Sequence, residues 1–245
     1  MAVLVTRPSP DNLRTADALR ARGFDVLLAP MLRFEPLPLP ADLGGDVGAV
    51  IGTSANALRA AAPQLSGSPL IALPLFTVGA QTASAAREAG FTEVISADGD
   101  AARLRELVVD SAAARVFEAS RTLLYLAGSD ISRDLASELI ERGFDVVTAT
   151  VYRMAQVSAL PREVCDAFAA DRVEAVVHYS RRSAEAFVAA ARAEGVEISA
   201  LSVPQYCISD SVAGVLREAG AARVTFAAHP DEQNLLEGLA RALRP

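Results

Sequence analysis

The sequence predicts an α/β protein built from two similar units, each a parallel sheet flanked by helices. Two observations carry the prediction. Short β-branched runs alternate with helical segments along the chain, and the order of elements in the first half returns in the second. The runs Val3-Leu4-Val5, Ala49-Val50-Ile51, Phe76-Thr77-Val78, Leu123-Leu124-Tyr125, Ala175-Val176-Val177 and Val224-Thr225-Phe226 read as buried strands. The helices between them stop at Gly23, Gly90, Gly143, Gly195 and Gly220, where glycine suits the left-handed residue after a helix. Such alternation builds parallel sheets with helices on both faces.

The return is visible in residues. Arg22-Gly23-Phe24-Asp25-Val26 recurs as Arg142-Gly143-Phe144-Asp145-Val146, 120 residues on. Arg87-Glu88-Ala89-Gly90 recurs as Arg217-Glu218-Ala219-Gly220, 130 residues on. Between them, Ala49-Val50-Ile51-Gly52-Thr53-Ser54 matches Ala175-Val176-Val177-His178-Tyr179-Ser180. Three matches in order indicate a duplicated unit, and two copies argue against a solenoid. After the Gly-Phe-Asp-Val segments come two extended stretches, one from Ala29 to Pro36 and one from Thr150 to Met154, which read as connectors.

Composition narrows the function. The 245 residues are 51% hydrophobic and carry a net charge of −7, which argues against a general nucleic-acid binder. No apolar run approaches the roughly 20 residues of a membrane span, and no signal-peptide layout precedes Val3, so a cytoplasmic protein is expected. All 23 basic residues are arginine. Without lysine there is no Schiff base, no pyridoxal-phosphate lysine and no Walker P-loop lysine. Cys165 and Cys207 read as reduced thiols. His178 and His229 stand in no ligand cluster, so neither a zinc site nor a histidine triad is expected; His178 reads as a satisfied core or rim residue.

Chemistry is expected at the strand-to-helix junctions Thr6-Arg7-Pro8-Ser9, Thr53-Ser54-Ala55-Asn56, Gly79-Ala80-Gln81-Thr82, Gly128-Ser129-Asp130, Ser180-Arg181-Arg182-Ser183 and Ser209-Asp210-Ser211. Helix N-termini bind anions through their unpaired N–H groups, and open α/β sheets bind ligands at their carboxyl edge. At any one junction a plain helix cap is the better reading, and Asp130 and Asp210 read as caps. The case for a multi-anionic ligand rests on the number of junctions and their arginines.

Several of these segments resemble the uroporphyrinogen-III synthase family. They are Val3-Leu4-Val5-Thr6-Arg7-Pro8, Thr53-Ser54-Ala55-Asn56-Ala57, Val78-Gly79-Ala80-Gln81-Thr82-Ala83, Val151-Tyr152 and the run from Tyr179 to Phe187. The similarity runs in order across essentially the whole chain. It implies a cofactor-free, metal-free enzyme that closes hydroxymethylbilane to uroporphyrinogen III with inversion of ring D and loss of water. It implies two domains, 1–33 plus 157–245 and 36–150, joined by a two-stranded connector near 30–36 and 150–157, with the active site in the cleft between them. It places Thr53, Ser54, Thr82, Ser180, Arg181 and Ser211 against the substrate, and Tyr152 matches its candidate for the catalytic acid; Arg7, at the first junction, is expected to bind substrate with them. Read from the residues alone, Tyr152 fits a packing role in the connector equally well. Asp210 departs from the pattern, since a carboxylate there repels a polycarboxylate unless it turns away. The expected partner is this one small molecule, with no nucleic acid and no membrane. A monomer is expected, with at most transient contact with the preceding pathway enzyme. The alternative is a non-enzymatic two-domain sensor of an anionic small molecule.

Overall fold

The computed structural model describes residues 1–43, 45–131 and 133–243. The chain divides into two compact units, Met1–Arg33 with Ala155–Pro245, and Phe34–Met154. Arg244 and Pro245, the end of the first expected domain, lie outside the described residues.

In chain order the first unit opens with β1 (Ala2–Val5), α1 (Asp11–Arg20) and β2 (Asp25–Leu28). β3 (Leu32–Pro36) leads into the second unit. There follow β4 (Val47–Gly52), α2 (Ala55–Leu65), a 3-10 turn (Pro69–Ala72), β5 (Leu75–Thr77), α3 (Ala80–Glu88), β6 (Val94–Ser96), α4 (Ala101–Ala113), β7 (Thr122–Gly128) and α5 (Leu135–Ile140). β8 (Val146–Gln156) leads back to the first unit, which continues with α6 (Arg162–Ala169), β9 (Val173–His178), α7 (Arg181–Ala193) and α8 (Glu197–Ser202). It ends with β10 (Gln205–Cys207), α9 (Asp210–Glu218), β11 (Val224–Phe226) and α10 (Glu232–Leu243).

The first unit's sheet has the order β11-β10-β9-β1-β2, and each neighbouring pair is parallel. The second unit's sheet has the order β3-β8-β7-β4-β5-β6, parallel from β8 to β6. β3 and β8 are neighbours, and their flanks are tied by Leu37 N–H to Val151 O and Val157 N–H to Met31 O. In each unit the strand order reverses once, between β1 and β9 and between β4 and β7. At such a switch point the two adjoining helices leave on opposite faces and open a crevice at the strands' carboxyl ends.

Side-chain alternation puts an apolar layer on each face of each sheet. Along β7, Leu124 and Leu126 join one layer with Val50, Leu58 and Leu75. Leu123, Tyr125 and Ala127 join the other with Ile51, Phe76 and Leu104. In the first unit Leu4 and Val176 face one core while Val3, Val5 and Val177 face the other. The duplication is also visible in the backbone. Gly23 and Gly143 both stand at φ 89, and Gly90 and Gly220 at 97 and 98.

Two expectations need correction. Val224–Phe226 is a strand but not a buried one: β11 is the sheet's edge, and Phe226 is 44% exposed. β5 ends at Thr77, so Val78 belongs to the loop beyond it. Among the described residues no helix is long and apolar enough to cross a membrane.

Candidate functional site

In the second unit the crevice at the β4/β7 switch point is open. A cavity of about 380 Å³ lies there, bounded by residues that follow four parallel strands. Thr53 and Ser54 follow β4, Val78 follows β5, and Gly99, Asp100 and Ala101 follow β6. Gly128, Asp130 and Ile131 come from the end of β7, and Tyr152 stands on β8.

Thr53 and Ser54 are half-buried neighbours, and each meets a tyrosine. Thr53 Oγ1 lies 2.9 Å from Tyr125 Oη, and Ser54 Oγ lies 3.3 Å from Tyr152 Oη. Consecutive residues of extended chain point to opposite sides. Accordingly Tyr125 rises from one apolar layer while Tyr152 packs against the other. Ser54 is also the N-cap of α2, its Oγ accepting from Asn56 N–H at 3.2 Å.

Tyr152 owes its position to a bulge. β7 and β8 pair in register from Leu123 and Val146 to Ala127 and Thr150, and then Gly128 faces Tyr152, with Val151 passed over. A bulge re-aims the side chains beyond it. The Tyr152 ring then lies against Gly128, where a Cβ would fall 2.6 Å from Cζ. Phe34 supports it, with ring centroids 5.4 Å apart, and Ser129 N–H donates to Tyr152 O. Burial pushes the Tyr125 phenol above its ordinary value, against the hydrogen bond with Thr53.

Charged groups stand at the rim. Asp100 caps α4 by accepting from Arg103 N–H at 2.9 Å, and that bond holds its carboxyl below the usual range. Arg133 donates to Glu138 through both Nε and Nη2, at 2.5 and 2.9 Å.

Thr82 does not join this cavity. It is 6% exposed, in the first turn of α3 on its buried face. The remaining expected residues lie in the first unit. Arg7 follows β1 at the other switch point, but its guanidinium is engaged. It donates to Asp11 and to Glu232, both at 3.1 Å, and lies 4.5 Å over the Tyr179 ring. Glu232 also accepts from Thr15 and Tyr179. Burial pushes the Glu232 carboxyl up, but the bonds from Thr15 and Tyr179 and the charge of Arg7 outweigh it and hold it below the usual value. The first unit thus fills this part of its crevice with its own carboxylate.

Ser180 caps α7 through Ser183 N–H, and exposed Arg181 lies 3.8 Å from Glu185. Ser211 is exposed, paired with Ser209 at 3.0 Å. Asp210 is turned onto Arg217 at 2.8 Å. His178 is fully buried, with Nδ1 facing Thr6 Oγ1 and Nε2 facing Gln205 Oε1. Burial lowers its pKa to about 4. Among the described residues no group of His, Cys, Asp and Glu is placed to hold a metal ion.

Sequence reasoning missed Tyr125, Asp100 and Arg133. Tyr125 carried a usable signal: a phenol at the middle of an otherwise apolar buried run, Leu123 to Ala127.

The comparisons agree with this architecture. A search of curated proteins finds no match. Among solved structures the chain is similar to the uroporphyrinogen-III synthetase of Helicobacter pylori, at 21% identity and TM-score 0.62, with 99% of each chain covered. It is also similar to a mutant uroporphyrinogen III synthase of the extremely thermophilic bacterium Thermus thermophilus, at 18% identity and TM-score 0.52, again with 99% of each chain covered. At these identities the likeness shows the fold. The family model described as uroporphyrinogen-III synthase HemD matches residues 14–237, and the chain belongs to the uroporphyrinogen-III synthase family.

Proposed function

We propose that this chain closes hydroxymethylbilane to uroporphyrinogen III, a cyclising hydro-lyase reaction of tetrapyrrole biosynthesis. Family membership over residues 14–237 carries the reading and favours the enzyme over the sensor. The cavity beside Thr53, Ser54 and Tyr152 supports it.

The reaction breaks the C–O bond of the terminal hydroxymethyl group. The electron-rich pyrrole nitrogen pushes the hydroxyl out, so only a weak acid is needed. A tyrosine phenol keeps its proton at neutral pH. Tyr152 donates that proton to the leaving hydroxyl, which departs as water. The hydrogen-bond pattern suits this role. Ser54 Oγ accepts from Asn56 N–H, and when its own proton points at Tyr152 Oη the phenol proton is free for substrate. The substituted α-carbon of ring D attacks the cationic methylene, which forms one C–C bond and a spiro centre. The original bridge bond to that carbon then breaks and re-forms at the ring's free α-carbon, which gives up its proton as aromaticity returns, and that proton restores Tyr152.

Unassisted closure gives the uninverted type I isomer. The protein's larger task is therefore to hold the chain so that the substituted carbon is attacked. The substrate's carboxylates suit the positive end of the α2 dipole and the hydroxyl of Thr53. Ser180, Arg181 and Ser211 are proposed to meet further carboxylates. Arg7 would do so only by giving up Glu232.

Incubation with fresh hydroxymethylbilane, followed by oxidation and separation of the porphyrin isomers, tests the proposal. Type III should dominate over type I, and an isomer ratio unchanged at high protein concentration would sink it. Tyr152→Phe should lower kcat by about 10–100-fold, at or below the low end for a positioned acid because nitrogen assists departure. Equal kcat for the variant would leave Tyr152 a packing role only.

A further inference from the structure

We infer that Tyr125 is a positioning residue, whose hydroxyl turns Thr53 into a hydrogen-bond donor facing the cavity. The inference rests on the proposed reaction and extends it to a residue that no motif marked.

Tyr125 is 3% exposed, on the strand that borders β4. A buried phenol needs a hydrogen-bond partner, and among the described residues Tyr125 meets Thr53 Oγ1, at 2.9 Å. Two proton arrangements satisfy that distance. If Thr53 donated to Tyr125, the phenol's single proton would have no protein acceptor among the described residues. If Tyr125 donates to Thr53, every group is served and the Thr53 proton points away from Tyr125, toward the cavity that both residues line. Burial holds the phenol proton above its ordinary range, so the arrangement persists through neutral and mildly alkaline pH.

The consequence is chemical. A free threonine hydroxyl donates or accepts as its surroundings ask. One that already accepts from a fixed phenol presents its proton. A site that must bind a substrate rich in carboxylates gains from such a fixed donor, because hydrogen bonds to ionised acceptors are the strong ones. The pattern at Ser54 is parallel: there Oγ accepts from the backbone N–H of Asn56 and stands 3.3 Å from Tyr152 Oη, within reach of its own proton. Adjacent hydroxyls are thus each polarised by a different neighbour.

A double-mutant cycle tests this. Tyr125→Phe removes only the hydroxyl. It should raise KM for hydroxymethylbilane about 3–10-fold, the range of a modest hydrogen-bond loss, with kcat within about 2-fold. Thr53→Val should raise KM further. The double variant should match Thr53→Val alone, because Tyr125 acts through the threonine. Thr53→Ser keeps the hydroxyl, and in that background Tyr125→Phe should still raise KM. The same cycle is read by fluorescence with uroporphyrin, an octacarboxylate probe whose Kd requires no turnover. Thermal melting of each variant checks that the fold persists. Additive effects of the two substitutions, or an unchanged KM and Kd in Tyr125→Phe, overturn the inference while the proposed function stands. A wild-type protein that leaves the isomer ratio unchanged removes the proposed function, and with uroporphyrin also unbound it removes this inference too.

Discussion

Gly128→Ala is expected to lower kcat by about 10–100-fold while the protein still folds. The backbone at Gly128 does not require glycine, since its φ lies outside the left-handed region. Space does. A Cβ there would meet Tyr152 Cζ at 2.6 Å, Cε1 at 2.7 Å and Oη at 2.8 Å. These atoms form the far end of one side chain, so the ring swings rather than the strand. The swing takes the phenol from Ser54 and pushes the ring into the cavity. A displacement of about 1 Å at a reacting group can cost about 10²-fold in rate. Steady-state kinetics with hydroxymethylbilane and a thermal melt measure both parts. Wild-type kcat in the variant would mean that the position of Tyr152 does not matter to the chemistry.

The second large effect is on stability at acid pH. His178 is fully buried in the first unit, and its pKa falls from 6.5 to about 4 on folding. Between those values the unfolded chain binds a proton that the folded chain refuses. Stability therefore rises with pH across that window and is fully present above pH 6.5. As pH falls from 6.5 to about 4 it declines by roughly 3 kcal/mol, and below that this contribution is constant. The neutral ring donates from Nε2 to Gln205 Oε1, because Gln205 Nε2 is already donating to Ala200 O and Val203 O. Urea unfolding from pH 7.5 to 4 should show the decline, and His178→Gln should flatten it at the cost of lower stability at neutral pH. An equally steep decline in the variant would place the acid sensitivity elsewhere.

Much of the architecture was legible because the duplicated unit repeats its punctuation. Gly23 and Gly143, and Gly90 and Gly220, stop equivalent helices in equivalent conformations. The central strands β1, β4, β7 and β9 are apolar on both faces and announce themselves. β10 does not, because Gln205 begins it; its amide is buried only because His178 and two carbonyls pair with it. β11 was misjudged because an apolar run does not say whether a strand is central or at the edge. At the site, Thr53, Ser54 and Tyr152 were legible from junction chemistry and resemblance. The engagement of Arg7 was not, since its carboxylate partner Glu232 lies at the far end of the sequence. Nor was the role of the Tyr125 hydroxyl, which depends on where the neighbouring strand stops.

The position of β1 has a consequence for how the protein is made. β1 sits inside its sheet, between β2 and β9, although it is built from residues 2–5. Its inner partner starts at Val173. At about 5–20 residues per second, a ribosome leaves Val3, Leu4 and Val5 without that partner for on the order of ten seconds or more. The second unit, unbroken from Phe34 to Met154, can fold while they wait. The first unit cannot begin its core until most of the chain has been synthesised. A nascent chain stalled near residue 160 would thus carry one finished unit and one sticky, half-built sheet, the form that chaperones would be called on to hold.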